Sequence, residues 1–351
     1  MDMERHLIHI LAAAALFLGF AKGGAVAFAA SAPIPEGAVI VAKDGSGQFT
    51  TIQQAIFSLR DYKPEGRAWV YVKKGVYEEK LLIPAYKTEV SLIGEDRDET
   101  IIIWHDHANL PSELGRGGTI GTFYSWTMKV DAPDFICENF TIINDAMTYH
   151  NPNWKSDHRN AAGVGQAVAL HIEGDRVVFR NCSIKGFQDT LFTGNNDGRE
   201  YFENCYIEGA VDFMFGPATV WFEKCHVHLI LRGYFTAAST PADHPYGYIF
   251  NKCRVTTAEG LTGQWLGRPW RNHAYVLWKE CELDADLNPQ GWNNWGDPAR
   301  EKTARYYEYN CTGKGADRSG RAPWTHELSK KEARKVTLKN VFGKPKGTWL
   351  P

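Results

Sequence analysis

After its N-terminal segment the sequence has no apolar run long enough to cross a bilayer, so no internal membrane span is expected. It also lacks a charge imbalance. A formal net charge of -2 gives no electrostatic footprint for nucleic acid or for an anionic membrane. No strong helical pattern separates its apolar stretches, which argues against alternating strand and helix units. No Pro/Ser linker divides the chain, so residues 36 to 351 read as one domain. What is present is core material. Hydrophobic residues make up 44% and aromatic residues 13%, unlike a disordered chain.

The first 29 residues stand apart. Arg5 and His6 precede the apolar run LIHILAAAALFLGF and the small residues GGAVAFAASA. This is the layout of a secretory signal peptide with A-x-A cleavage near Ala29, and the run is short for a membrane span. No cysteine near that point offers a lipid attachment site. The mature chain is therefore expected to be secreted or periplasmic, with no membrane attachment after cleavage. In such a compartment seven cysteines would ordinarily suggest disulfides.

The contexts of the cysteines say otherwise. VVFRNCSI, YFENCYIE, VWFEKCHV, YIFNKCRV, VLWKECEL and YYEYNCTG put Cys182, Cys205, Cys225, Cys253, Cys281 and Cys311 at one position of a recurring strand unit. FICENFTI fits one turn earlier, with Phe140 in the cysteine slot. A period of roughly 20 to 30 residues, β-branched and aromatic content and period-two alternation together predict a solenoid. The fold class expected is all-β: a single-stranded right-handed parallel β-helix with short capping helices near its ends. TTIQQAIFSL from Thr50 to Leu59 would cap one end, and SKKEARKVTL, with Ser329 as N-cap, would lie near the other. Stacked coils make the cysteines an internal ladder whose parallel side-chain directions disfavour the disulfide torsion, so free buried thiols are expected.

Two repeats carry acids at the same offset. NCSIKGFQDTLF places Asp189 ninth, and NCYIEGAVDFMF places Asp212 ninth. If the two stretches are successive coils, these residues stack about 5 Å apart at Cα. Carboxylates so close do not both ionise cheaply, so one becomes an acid beside a nucleophile or base. The plainer reading is a pair of surface turn residues, but both sit in apolar segments where an idle charge is costly. Gln188 and Asp189 are neighbours, which a straight strand would send to opposite faces. Gly186 and Gly209, three residues before each acid, are the expected places for a bend.

Five motifs in order now make the chain resemble the pectin methylesterases, or pectinesterases. They are GVYEE (Gly75, Tyr77, Glu79), GQAVAL (Gly165 to Leu170), GFQDTLF, GAVDFMFG and LGRPW (Leu266 to Trp270). The likeness runs from DGSGQFTTIQQAI at Asp44 to PQGWNNW at Trp295. It implies a carboxylic ester hydrolase that removes methyl groups from galacturonate esters of pectin. By that resemblance Asp212 is the nucleophile and Asp189 the general acid, then base. Gln166 and Gln188 stabilise the oxyanion, and Arg268 grips the nucleophilic carboxylate. Trp270, Trp292, Phe192 and Phe215 line the sugar groove. No cofactor and no metal are implied, and the partner expected is methyl-esterified homogalacturonan, bound by a monomer.

Other functions fit the residues less well. A polygalacturonase of the inverting kind would need its carboxyls roughly 6.5–9.5 Å apart, wider than a direct stack. A pectate lyase would want an acidic calcium site, and no acidic cluster surrounds the pair. A non-catalytic polysaccharide-binding solenoid leaves the acid pair unexplained. The HDH and HVH stretches (His105 to His107, His226 to His228) show no further ligands at zinc spacing. The sequons at Asn139, Asn181 and Asn310 fall within the strand repeats, where glycosylation is not expected. TGNNDGRE, from Thr193 to Glu200, is longer than in plant members and is expected as a loop at the groove edge.

Overall fold

The computed structural model describes residues 34–62, 66–152, 163–343 and 347–351. The expected signal peptide lies outside these residues. Strands stack in parallel, coil upon coil. One sheet of eleven strands runs from Val39–Val41 through Ala68–Val72, Val90–Gly94, Ile136–Glu138, Val177–Arg180, Arg199–Glu203 and Thr219–Glu223 to Tyr248–Asn251, Tyr275–Lys279, Arg305–Tyr309 and His326–Glu327. A second sheet of thirteen strands supplies two further faces. They merge because Tyr206–Gly216 and His226–Ala238 are long enough to run through both. This is a parallel β-helix.

The core is a set of ladders. The register pairs Phe179 with Phe202, Phe202 with Phe222, Phe222 with Phe250 and Phe250 with Trp278. Their rings stack at 5.2, 5.1, 4.4 and 3.8 Å between centroids. Stacked aromatics of this kind contribute beyond their buried area. Cys182, Cys205, Cys225, Cys253 and Cys281 form the adjacent row, all buried and unoxidised, with Cys311 less covered at its end. Ser183 pairs with Thr141, which puts Phe140 beside Cys182, as the repeat implied. Each ladder thiol reaches a carbonyl of the previous coil: Cys253 Sγ to Phe222 O is 3.4 Å and Cys281 Sγ to Phe250 O is 3.3 Å. Burial pushes the Cys182 and Cys253 thiols well up, which makes them packing groups rather than reactive ones.

The residue before each of these six cysteines turns the corner. Asn181, Asn204, Lys224, Lys252, Glu280 and Asn310 all adopt the left-handed conformation, with φ between 48° and 55°. Asparagine tolerates this region best, and the asparagines also join coils, since Asn181 Nδ2 donates to Asn139 Oδ1 at 2.6 Å. The three sequons therefore sit at corners, not inside strands, and Asn310 is exposed.

The N-terminal helix Ile52–Ser58 buries Ile52, Ala55 and Ile56. Its first turn is capped from the next coil. The Glu79 carboxylate accepts from the amides of Ile52 and Gln53 at 2.8 and 2.9 Å, while Tyr77 fills the core beneath. A carboxylate at a helix N-terminus satisfies free donors and meets the positive end of the dipole. The motif GVYEE is thus architectural.

The C-terminal helix differs from expectation. It is two single turns, Lys330–Ala333 with a Ser329/Glu332 capping box and Leu338–Val341 capped by Thr337. Nor does it cover the open end of the solenoid. Val336, Val341 and Phe342 pack against Val178, Tyr201, Trp221 and Leu277 on the outer face of the eleven-stranded sheet. Arg199 fastens the tail there through the carbonyls of Phe342 and Gly347, at 3.3 and 2.9 Å. That outer face is apolar, and its burial outweighs covering the end.

Candidate active site

The two aspartates share one local fold. Leu191 pairs with Met214 and Phe192 with Phe215. Carried back two residues, this register sets Asp189 beside Asp212, and the Asp189 amide donates to Val211 O at 3.0 Å. Both aspartates are left-handed, with φ of 62° and 53°. The bend expected at the glycines is therefore at the acids themselves. Gly186 and Gly209 serve clearance instead. A Cβ on Gly209 would lie 2.3 Å from Phe213 Cβ, and one on Gly186 would lie 2.8 Å from Thr190 Oγ1. The turn at Gln188 and Asp189 breaks strand alternation, and the Gln188 amide contacts the Asp189 carboxyl. The adjacent residues thus aim at one place.

Gln166 belongs to the preceding coil. Its carbonyl accepts from the Ala108 amide at 2.7 Å, and Ala167 N donates to Gln188 O at 3.1 Å. Backbone hydrogen bonds therefore link the coils of Gln166, Gln188 and Asp212 in order. Gln166 and Gln188 are partly exposed and Asp212 is buried; Asp189 keeps some exposed surface, but its carboxyl lies deep among protein atoms.

Arg268 lies 56 residues beyond Asp212 yet meets it directly. Nε donates to Oδ1 at 2.8 Å and Nη2 donates to Oδ2 at 2.6 Å. The fork takes both carboxylate oxygens. Such a bidentate, charge-assisted pair favours the ionised form of Asp212. The guanidinium is also sandwiched. Its Cζ is 3.7 Å from the Trp295 ring centre and 3.9 Å from that of Tyr234. Asp189 has the opposite environment. Burial, then the neighbouring Asp212 charge, push its carboxyl well above the ordinary range, against the smaller pull of Arg268 and Gln188.

Aromatic rings surround the pair. Phe192 and Phe215 stack at 4.7 Å, and Trp270 meets them edge-on at 6.5 and 5.8 Å. Phe192 and Phe215 are largely covered, at 6% and 4% exposure, while Trp270 is half-buried. Phe123, absent from the sequence reading, is 44% exposed and packs 4.9 Å from Phe192.

Trp292 is a correction. It is 1% exposed, stacked on Tyr306 at 4.1 Å, with its indole N–H on Glu308 at 3.3 Å. It is a core residue beneath the site, not a wall of the groove. Trp295, three residues on, is the half-buried ring at the site. The pair in PQGWNNW gave the position to within a turn, but no alternation in that loop says which ring faces out. Tyr234 was also missed, because a bulge precedes it and breaks the period-two signal.

The stretch after Phe192 turns through Gly194 to Gly198 between the site's face and the eleven-stranded sheet, tied by Asn195 Nδ2 to Glu173 O at 2.9 Å. Among the described residues no group of three or more His, Cys, Asp or Glu side chains is arranged to hold a metal ion. His226 and His228 instead share the Thr256 hydroxyl, at 2.8 and 2.7 Å.

Comparison with known proteins identifies the arrangement. The pectinesterase family model matches residues 38–344. Pectinesterase 31 of Arabidopsis thaliana is 36% identical over 302 residues, covering 84% of this chain and 89% of its own length. Probable pectinesterase A of Neosartorya fischeri is 33% identical over 327 residues, covering 90% and 89%. Among solved structures, a pectin methylesterase from carrot superposes with a TM-score of 0.76 at 29% identity, covering 89% of this chain and 94% of that one. A pectin methylesterase in complex with a hexasaccharide gives 0.73 at 28% identity, covering 89% and 98%. These structures share the right-handed parallel β-helix. The chain belongs to the pectinesterase family of carboxylic ester hydrolases.

Proposed function

We propose that Asp212 is the nucleophile and Asp189 the general acid, then base, of this pectinesterase. The enzyme hydrolyses the methyl esters of galacturonate units in pectin and releases methanol. What supports the assignment of roles is the asymmetry of the pair: Arg268 forks Asp212, while burial and the Asp212 charge push the Asp189 carboxyl well above the ordinary range.

The chemistry follows from these positions. An Asp212 oxygen keeps lone pairs outside the Arg268 fork and adds to the ester carbonyl carbon. The side-chain amides of Gln166 and Gln188 donate to the oxyanion without adding a charge beside the acids. As the C–O bond to the methoxyl breaks, Asp189 gives its proton and methanol leaves. The remaining species is an anhydride between Asp212 and the galacturonate. Asp189, now a carboxylate, takes a proton from water as its oxygen attacks that anhydride. Asp212 departs as carboxylate, and both groups are restored. The half-exposed rings of Trp270 and Trp295, with the edges of Phe192 and Phe215 below, offer flat faces for sugar rings.

The N-terminal segment supports export to the periplasm or the medium. Among the described residues no helix is long and apolar enough to cross a membrane. Methanol release from highly methylated pectin tests the assignment. Wild type is expected to release methanol in the presence of a chelator, and Asp212→Asn to lose at least about 10³-fold in turnover. Full activity in the variant would remove Asp212 from the nucleophile's role.

A further inference from the structure

The two rings that enclose the Arg268 guanidinium are anchored differently. Tyr234 is fixed by strand pairing to Val211 and Trp265. Trp295 lies in a loop, and its backbone is left-handed, with φ of 62°. For a bulky residue that conformation is costly and persists only where the surroundings over-determine it. Part of the support is local. Trp295 N donates to Asn293 Oδ1 at 2.8 Å, and Gly296 N donates to Asn294 Oδ1 at 2.9 Å.

The rest comes from the short 3-10 helix Pro298–Lys302, which reaches back to the loop twice. Asn294 Nδ2 donates to Glu301 Oε1 at 2.7 Å, and Arg300 lies with Cζ 5.7 Å from the centre of the Trp295 ring. Asp297 sets this geometry. One carboxylate oxygen accepts from Ala299 N at 3.0 Å and the other from Arg300 Nε at 3.3 Å. Arg300 has one further contact: Nη1 donates at 2.5 Å to the carbonyl of Pro269, the residue after Arg268. One side chain therefore bridges the loop that covers Arg268 and the segment that carries it.

The charges argue that this bridge is used. Arg300 is a second cation near a ring that Arg268 already occupies, and like charges repel. Its side chain is only 20% exposed, so water relieves little of that repulsion. Its carboxylate partner Asp297 is half in solvent, where an ion pair contributes little. Arg300 also belongs to the electrostatic neighbourhood of the pair, since the charges of Asp212, Arg300 and Arg268 all act on the buried Tyr306 hydroxyl beneath them. Local rules broken in this way concentrate at functional sites.

We propose that Arg300 is a positioning residue: by tying Trp295 to the Pro269 carbonyl it keeps the Arg268 guanidinium in its fork on Asp212. The inference rests on the roles proposed for Asp212 and Arg268 and adds the side chain through which the loop after Trp292 acts on them. Without Arg300 the ring and the segment separate, the guanidinium gains freedom, and the Asp212 carboxylate loses its orientation. A small misplacement of an attacking group lowers turnover, by about tenfold here.

The test combines arginine side-chain NMR with methanol release from highly methylated pectin, on wild type, Arg300→Met and Arg300→Lys. Methionine keeps an apolar stem but has neither donor nor charge. The Arg268 Nε–H signal is assigned by its loss in Arg268→Lys. Its exchange with water should be about tenfold faster in Arg300→Met, with kcat about tenfold lower and KM little changed. Arg300→Lys still donates to Pro269 O and should recover part of both effects. In a Trp295→Ala background Arg300→Met should lower kcat by less than about twofold more, because the ring it holds is gone. Circular dichroism checks each fold. If Arg300→Met unfolds, Arg300→Lys carries the exchange measurement, with a rise of about threefold expected. Unchanged Arg268 exchange, or the same further loss of kcat with and without Trp295, would overturn the proposal. Faster exchange with full kcat would leave the positioning intact and instead strike the roles given to Asp212 and Arg268, so the two failures are distinct.

Discussion

The coil of Asp189 and the coil of Asp212 are near copies with opposite chemistry. Each has a glycine three residues before its acid, a left-handed acid at the bend and a phenylalanine three residues after it. The backbone difference is small, 62° against 53° in φ. The environments diverge because each coil has different neighbours along the stack. Asp212 receives Arg268 from the strand end after Trp265–Gly267 and is held as a carboxylate by two short hydrogen bonds. Asp189 receives an uncharged amide from its own coil and the negative charge of Asp212 from the next. Repetition therefore builds the scaffold twice, and the neighbouring coils give the two copies different surroundings.

That comparison can be broken at either member. Under the proposed roles Asp189→Asn removes the proton donor but leaves Asp212 and its arginine, and turnover should fall about 10²- to 10⁴-fold in a methanol assay. The pH profile sharpens the point. The Asp189 carboxyl is raised above the ordinary range by burial and the Asp212 charge, so under the proposed roles activity should fall as pH rises through its raised value, because the first step needs the proton. The residual activity of the variant should lack that alkaline limb. Next in size is Gln188→Ala, which deletes a proposed oxyanion donor beside Asp189. A loss of about 10²- to 10³-fold in kcat is expected, with KM little changed.

The smallest effect on activity separates two tryptophans that sequence could not. Trp292→Ala should destabilise by about 3–5 kcal/mol in denaturant unfolding, as emptying a packed aromatic site does. Trp295→Ala should lower kcat by about tenfold by freeing one face of the Arg268 guanidinium, with a smaller loss of stability. The reverse pattern would return Trp292 to the groove.

The legibility of the sequence follows from the same physics. The ladder of cysteines and the aromatic row were readable because each coil repeats one inward position, and burial tolerates few residue types there. The stacking of Asp189 on Asp212 was readable for the same reason. The turn that brings Gln188 and Asp189 together was only half readable, since the bend falls on aspartates, whose left-handed conformation leaves no mark such as glycine would. Arg268 was named through its resemblance, but its sandwich between Tyr234 and Trp295 depends on a bulge and a loop with no period. The C-terminal helix was legible by its Ser329 cap and misplaced, because nothing in a single amphipathic turn says which surface it covers.

The central claim is that the pair holds one ionised and one protonated carboxyl at neutral pH. Infrared difference spectroscopy between wild type and Asp189→Asn reads this directly, because the protonated carboxyl stretch of Asp189 is the band removed, while other buried acids such as Glu200 cancel. The account predicts one protonated carboxyl lost in the Asp189→Asn difference spectrum at pH 7, with the carboxylate bands unchanged. Loss of an ionised carboxylate band in Asp189→Asn, with the protonated bands unchanged, would contradict it.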